Sequence, residues 1–320
     1  MSHFSYDEYI ERNDAMEKRS KANELQILTY LSPRLKHPTT IKGRLQQLQR
    51  GYNGESQFYD IIKENLSEHY IPIYDLLLES DGSVFQIDCL IICNNSVYMY
   101  EVKNYTGDYY LQNDRWYIVR SKKEIRNPLL QLERSHYLLK DLIQSFPSRF
   151  KVKSFIVFVN ESFMLYQAPL NTPIIFPTQI MRHIQTLNRH VGYRNNEKDQ
   201  KELAEWLKAQ QVERNFANLP DYSFDSLNKG VFCSDCLRRM ERYNRAYMIC
   251  HVCKQKEAVE LAVLRNIRQF TILFPKKRIT TSKIYEWCGR TLSKKSILRI
   301  LKENFLLIYH GRYSFFVDKT

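Results

Sequence analysis

The chain has 320 residues, 43% of them hydrophobic and 13% aromatic, which is enough for two or three packed domains and excludes a chain disordered throughout. Its formal charge is +13, from 48 Lys and Arg against 35 Asp and Glu, and such an excess favours a polyanionic partner. No apolar run long enough to span a membrane occurs, and Met1–Asp14 is polar and acidic, unlike a signal peptide, so the sequence predicts a soluble cytoplasmic protein without a membrane partner.

In chain order, residues 1–40 read as an N-terminal helical appendage, with apolar Leu25, Leu28 and Leu31 before Pro33 and Pro38. Ile41–Leu66 is helical but interrupted at Gly51-Tyr52-Asn53-Gly54, which predicts a turn and a helix restarting near Glu55. Val84–Ile92 and Val97–Lys103 are strands joined at Asn94-Asn95. Residues 109–119 read as a further strand. Asn127-Pro128 opens a helix to about Ser145, Ser154–Val159 and Pro173–Phe176 are short strands, and Thr178–Leu187 and Asp199–Gln211 are helical. Residues 41–211 are therefore an α/β domain with a mixed sheet covered by helices, and residues 212–230 an irregular linker.

The Asn94-Asn95 hairpin carries the first candidate site. Asparagine tolerates left-handed backbone, so the pair suits the centre of a type I′ turn with Cys93 opposite Ser96. That register places Asp88 opposite Glu101 and Gln86 opposite Lys103, with Ile87, Cys89 and Ile91 on the other face beside Val102, Tyr100 and Tyr98. Two carboxylates about 5 Å apart repel by roughly 3 kcal/mol at an effective dielectric of about 20. A divalent cation reverses the sign, and hard oxygen donors suit Mg²⁺ or Mn²⁺. Lys103 points at the same space and suits positioning a water or offsetting charge on a phosphate. The plain alternative is a solvated sheet face on which Lys103 neutralises a carboxylate.

Gly51-Tyr52-Asn53-Gly54-Glu55, Gln86-Ile87-Asp88, Glu101-Val102-Lys103-Asn104-Tyr105 with Gly107, Trp116, and Asn127-Pro128 with Gln131 together resemble the nuclease-related domain, over roughly residues 43–190. That family is considered similar to the PD-(D/E)xK restriction-endonuclease-like superfamily. The resemblance implies that Asp88 and Glu101 are metal ligands, Lys103 the catalytic lysine, Glu55 an acidic helix residue near the metal, and Gln131 an orienting residue from the following helix. The first motif lacks the proline of the superfamily's name, but proline has no metal-ligand atom. Glu55 is read equally as a first-turn partner of a helix dipole, Gln131 equally as a surface or capping residue, and Tyr105 and Trp116 as packing residues.

Cys233-Ser-Asp-Cys236 and Cys250-His-Val-Cys253 are separated by thirteen residues, a spacing that supplies four thiolates to a structural Zn²⁺ in a ribbon over residues 231–256. His251 is a minor alternative ligand. Arg238, Arg239 and Arg242, interleaved with tyrosines, suit contacts to phosphates and bases. Residues 257–320 read as three helices, 257–273, 281–288 and 293–304, followed by strands 305–309 and 313–317, the outline of a winged helix. Lys295, Arg299 and Lys302 share one face of the third helix, with Arg312 in the wing, and these are the candidate DNA contacts. Lone Cys288 reads as a small buried hydrophobe.

Charge divides along the same line. Residues 229–320 hold 20 basic and 7 acidic residues, while residues 1–228 hold 28 of each. The leading expectation is a Mg²⁺-dependent nuclease whose basic C-terminal part grips nucleic acid, in DNA processing or defence against foreign DNA. A non-catalytic DNA-binding or regulatory protein with an inactive nuclease-like domain is the alternative. A homo-oligomer is compatible with either.

Overall fold

The computed structural model describes residues 24–189, 197–213, 219–311 and 313–319. These residues divide into two compact units, one made of those between 47 and 213 and the other of 24–46 together with those from 219 on.

The first unit is α/β. Its main sheet has the order β1 (Ile71–Ser80), β2 (Ser83–Cys93), β3 (Ser96–Lys103), β7 (Lys151–Phe158), β9 (Ile174–Ile175). The first three strands are antiparallel, and β7 and β9 run parallel to β3 and to each other, which makes the sheet mixed. Between β3 and β7 the chain builds a second sheet from β4 (Gly107–Gln112), β5 (Arg115–Ile118), β6 (Glu124–Ile125) and later β8 (Phe163–Tyr166). One face of the main sheet packs Leu132, Leu139 and Ile143 of α3 (Pro128–Gln144) and Leu203 and Leu207 of α5 (Glu197–Ala209) around the buried Trp116 and Phe158. The other face holds Phe58 and Ile62 of α2 (Thr39–Asn65) and Ile180, Ile184 and Leu187 of α4 (Ile180–Arg189). Each helix contributes an apolar stripe at helical spacing, and burial of that stripe holds it to the sheet. Asn127 caps α3 by accepting from the Leu129 N–H, with Pro128 in the first turn, as expected from the sequence.

Three expectations are corrected here. No turn interrupts α2, which runs unbroken through Gly51 and Gly54. Gly54 serves close approach instead, because a β-carbon there would lie 2.6 Å from the Asn104 Cβ and 3.3 Å from Val159 Cγ2. Second, Cys93 does oppose Ser96, but of the two central turn residues only Asn94 is left-handed (φ 51°). Both central residues are left-handed at Asp81-Gly82 and at Asn113-Asp114; the latter turn divides residues 109–119 into β4 and β5. Third, Ile87 packs on the opposite face from Val102, with Leu90 and Ile92.

That last difference has a local cause. Along β1 the residues facing the α3 side are Ile73, then Leu76 and Leu78; along β2 they are Phe85 and Ile87, then Leu90 and Ile92. Each series contains one step of three where a strand takes steps of two. Both steps straddle a position where the ladder breaks, between the pairs Tyr74↔Cys89 and Leu76↔Ile87. Asp75 and Asp88 occupy that break, and Asp75 is left-handed (φ 56°). The two strands turn over together, and register survives.

In the second unit, α1 (Glu24–Leu31) buries Leu25, Leu28 and Leu31. Arg34 follows it and is fully buried, its guanidinium 3.8 Å from the Trp287 ring centroid and donating to Asn266 Oδ1 and Gln269 Oε1. Burial lowers the Arg34 guanidinium to about 9. Residues 24–46 are thus built into this unit, where the sequence suggested a separate appendage. The four cysteines lie around a small three-stranded sheet, β10 (Glu241–Arg242), β11 (Tyr247–Ile249) and β12 (Lys256–Ala258). Helices α6 (Val259–Leu273), α7 (Thr281–Trp287) and α8 (Lys294–Asn304) precede a hairpin of β13 (Phe305–Ile308) and β14 (Phe315–Asp318), with Ile279 bridging to Phe316. Cys288 is fully buried.

Candidate metal centre and basic surface

The ladder between β2 and β3 ends at Cys89↔Tyr100. One residue further, the Asp88 side chain takes over from the backbone, Oδ2 accepting from the Val102 N–H at 2.8 Å. Its other oxygen, Oδ1, accepts from Gln86 Nε2 at 3.4 Å. Glu101 and Lys103, two residues apart on β3, point to the same face. The Lys103 ammonium donates to Glu101 Oε1 at 2.7 Å and to Gln131 Oε1 at 3.2 Å, and Gln131 Nε2 donates to the same Glu101 oxygen at 2.6 Å. Gln131 reaches the site because α3 starts at Pro128 and presents its first turn to the end of β3.

The electrostatics are those of a crowded carboxylate site. Asp88 is partly exposed at its surface but enclosed by protein on a larger scale, and its carboxyl is held well above the usual range. Burial is the main cause, followed by the charges of Glu101 and Glu55, against which the Val102 N–H and Lys103 act. Glu55 on α2 is therefore near enough to influence Asp88. Burial pulls Lys103 down, but the charge and hydrogen bond of Glu101 and the charge of Asp88 outweigh it, so the ammonium sits above its ordinary value. At neutral pH Lys103 is a cation and cannot serve as a general base.

The donors present are of the chemical kind that a hard divalent cation takes. They are carboxylate oxygens, and like charge has accumulated where the protein supplies one ammonium. The Gln131 amide and the Lys103 ammonium both bind Glu101 Oε1, and Oε2 takes no part in those bonds.

The structure thus brings Asp88, Glu101, Lys103 and Gln131 together, with Glu55 close by. Trp116 and Tyr105 are packing residues, as expected; Trp116 stacks on Phe158 and Tyr105 on Tyr109. The sequence passed over Asp75, whose strand was not recognised. Residues 50–159 match the model of the nuclease-related domain. This nuclease-related segment spans Glu55, Asp88, Glu101, Lys103 and Gln131. No curated protein matches the chain.

The four cysteine sulfurs of the second unit lie within 4.8 Å of one another. The Sγ separations Cys233–Cys253, Cys236–Cys250 and Cys236–Cys253 are 3.5, 3.4 and 3.5 Å, close to the edge of about 3.8 Å of a tetrahedron with Zn–S bonds near 2.3 Å. Backbone N–H groups also aim at the sulfurs, from Asp235 and Cys236 to Cys233, from Arg238 to Cys236, and from Val252 and Cys253 to Cys250. This arrangement fits a structural zinc. His251 is turned to Glu241 at 3.3 Å and is not part of the set.

Among the candidate nucleic-acid contacts, Arg238, Lys295 and Lys302 are exposed. Arg239 is exposed but lies against Gly230 and Gly289, Arg242 Nε donates to the Asn244 carbonyl, and Arg299 pairs with Glu303 at 2.7 Å. Arg312 lies outside the described residues. Among those residues, no helix is long and apolar enough to cross a membrane.

Proposed function

We propose that this chain is a Mg²⁺- or Mn²⁺-dependent nuclease that hydrolyses phosphodiester bonds in DNA in the cytoplasm, within DNA processing or defence against foreign DNA. Residues 47–211 form the catalytic domain, residues 231–256 a zinc ribbon and residues 257–320 a winged helix, the last two holding the nucleic acid. The observation that carries this reading is the convergence of Asp88, Glu101 and Lys103, with the Asp88 carboxyl raised by burial first and then by two neighbouring carboxylates. Excess buried negative charge has a use in binding a cation and a cost in any purely structural role.

Asp88 and Glu101 would hold the cation, through Oε2 in the case of Glu101. When bound, a divalent cation supplies a water of lowered pKa and offsets charge on the phosphate. Lys103, fixed by Glu101 and Gln131, directs its ammonium at the attacking water or a phosphate oxygen. Gln131 fixes the Glu101 carboxylate, and Glu55 raises the negative potential that draws the cation in. Lys295 and Lys302, on one exposed face of α8, bind phosphates and confer salt dependence.

Plasmid cleavage with Mg²⁺ tests this reading, comparing wild type with Asp88→Ala and Lys103→Ala. The expected result is cleavage that both substitutions remove. Cleavage untouched by either would overturn the site; no cleavage by wild type in Mg²⁺ or Mn²⁺, with DNA still bound, would favour a non-catalytic DNA-binding protein.

A further inference from the structure

We infer that Gln86 and Asp75 are positioning residues that orient the Asp88 carboxylate for a divalent cation; this rests on the reading of Asp88 as a metal ligand. Gln86 Nε2 has two N–H groups. It lies 3.4 Å from Asp88 Oδ1 and 3.3 Å from Asp75 Oδ1, so one amide bridges the two aspartates that break the β1–β2 ladder. Asp88 is then held at both oxygens, by a side-chain amide at Oδ1 and by the Val102 N–H at Oδ2. A carboxylate held in this way retains a second lone pair on each oxygen and is restrained from rotating about its last bond.

Asp75 has two separable roles. Its left-handed backbone lets β1 turn over in step with β2, so that the strand pair stays in register on both sides of the site. Its carboxylate accepts from Gln86 and so fixes the amide with its N–H groups, not its oxygen, toward Asp88. With the amide reversed, its oxygen would meet two carboxylates. Glycine and asparagine both tolerate the left-handed backbone, yet only asparagine keeps a side-chain oxygen to accept from Gln86, so the two substitutions separate the roles.

The test is Mn²⁺ binding to the full-length, zinc-loaded protein without nucleic acid, followed by calorimetry or by the loss of the free-ion EPR signal. Asp88→Ala serves as the reference for loss of the ligand. Gln86→Met, close in size but without a donor, is expected to weaken Mn²⁺ by about 10- to 100-fold. Gln86→Glu also removes the donor but adds a charge that attracts the cation, so its loss should be smaller than that of Gln86→Met. Asp75→Gly should lose roughly tenfold, and Asp75→Asn should restore affinity to within about threefold of wild type. In cleavage assays the Gln86 variants should lower kcat at saturating Mg²⁺ and leave KM for DNA unchanged, whereas general unfolding would also lower thermal stability and zinc content. Wild-type affinity in both Gln86 variants would overturn the inference, as would Asp75→Asn binding as weakly as Asp75→Gly. Wild-type protein that binds no Mn²⁺ sensitive to Asp88→Ala would instead overturn the metal-site reading beneath it.

Discussion

The two units use charge in opposite ways. In the α/β unit the charges that matter are few, buried and mutually constrained: the Glu101 side chain is 7% exposed and that of Lys103 17%. In the basic unit they are many and mostly solvated. A buried cluster of carboxylates selects a small cation because charges a few ångströms apart in a poorly screened site interact strongly. An exposed basic face suits a long polyanion, which many weakly held cations can meet at once. Net charge therefore says where a polyanion would be held and nothing about where chemistry occurs; residues 1–228, balanced at 28 against 28, contain the candidate catalytic site.

The largest effect should come from the cysteine cluster. Structural zinc contributes about 10–16 kcal/mol in small zinc domains, so Cys250→Ser or a strong chelator should melt residues 231–256, seen as rapid proteolysis there, while the α/β unit stays resistant. Metal analysis should find about one zinc per chain. Retained zinc and protease resistance in Cys250→Ser would remove the ribbon. Next, Asp88→Ala and Lys103→Ala should each lower cleavage by on the order of 100- to 1,000-fold without changing DNA affinity, because the proposed grip belongs to the other unit. A parallel loss of affinity would break the comparison.

Arg34→Ala should destabilise the basic unit by about 2–4 kcal/mol, through the lost packing on Trp287 and the unpartnered Asn266 and Gln269 amides, read as a shifted thermal transition. Smaller still, Lys295→Ala and Lys302→Ala should each reduce the salt slope of DNA binding by about one. Arg299→Ala should do less, since its guanidinium is already paired with Glu303.

The smallest effect is in the metal-free protein. The native Asp88 carboxyl titrates above its unfolded value, so between the two the native state holds the extra proton and stability falls as pH rises. Asp88→Asn removes that dependence and should raise the metal-free melting temperature at pH 7 by a few degrees, with the gain shrinking toward pH 4. A melting temperature unchanged or lowered at pH 7 would mean that Asp88 is not strained in the apo protein.

Some elements were legible because their signals are local. Asn127-Pro128 fixed the start of α3, two CxxC pairs marked the cysteine cluster, and the alternation around Asn94-Asn95 located β2, β3 and the carboxylates on them. Strand β1 was hidden by Pro72 and Asp75 within its apolar run, although Asp81-Gly82 is itself a strong hairpin signal. Gly51 and Gly54 suggested a turn because a sequence does not distinguish a glycine that bends the backbone from one that lets another chain approach.

By itself the sequence determined the α/β class, the order of the C-terminal helices and hairpin, the split of charge, and the grouping of Asp88, Glu101 and Lys103, because periodicity, turn chemistry and spacing act over a few residues; Gln131 entered only through the family resemblance. Tertiary structure alone decided that Arg34 is locked into the basic unit, that β1 and β2 turn over at Asp75 and Asp88, and that Gln86 bridges those two aspartates. Each of these depends on which distant groups share a low-dielectric space, and no local pattern records that.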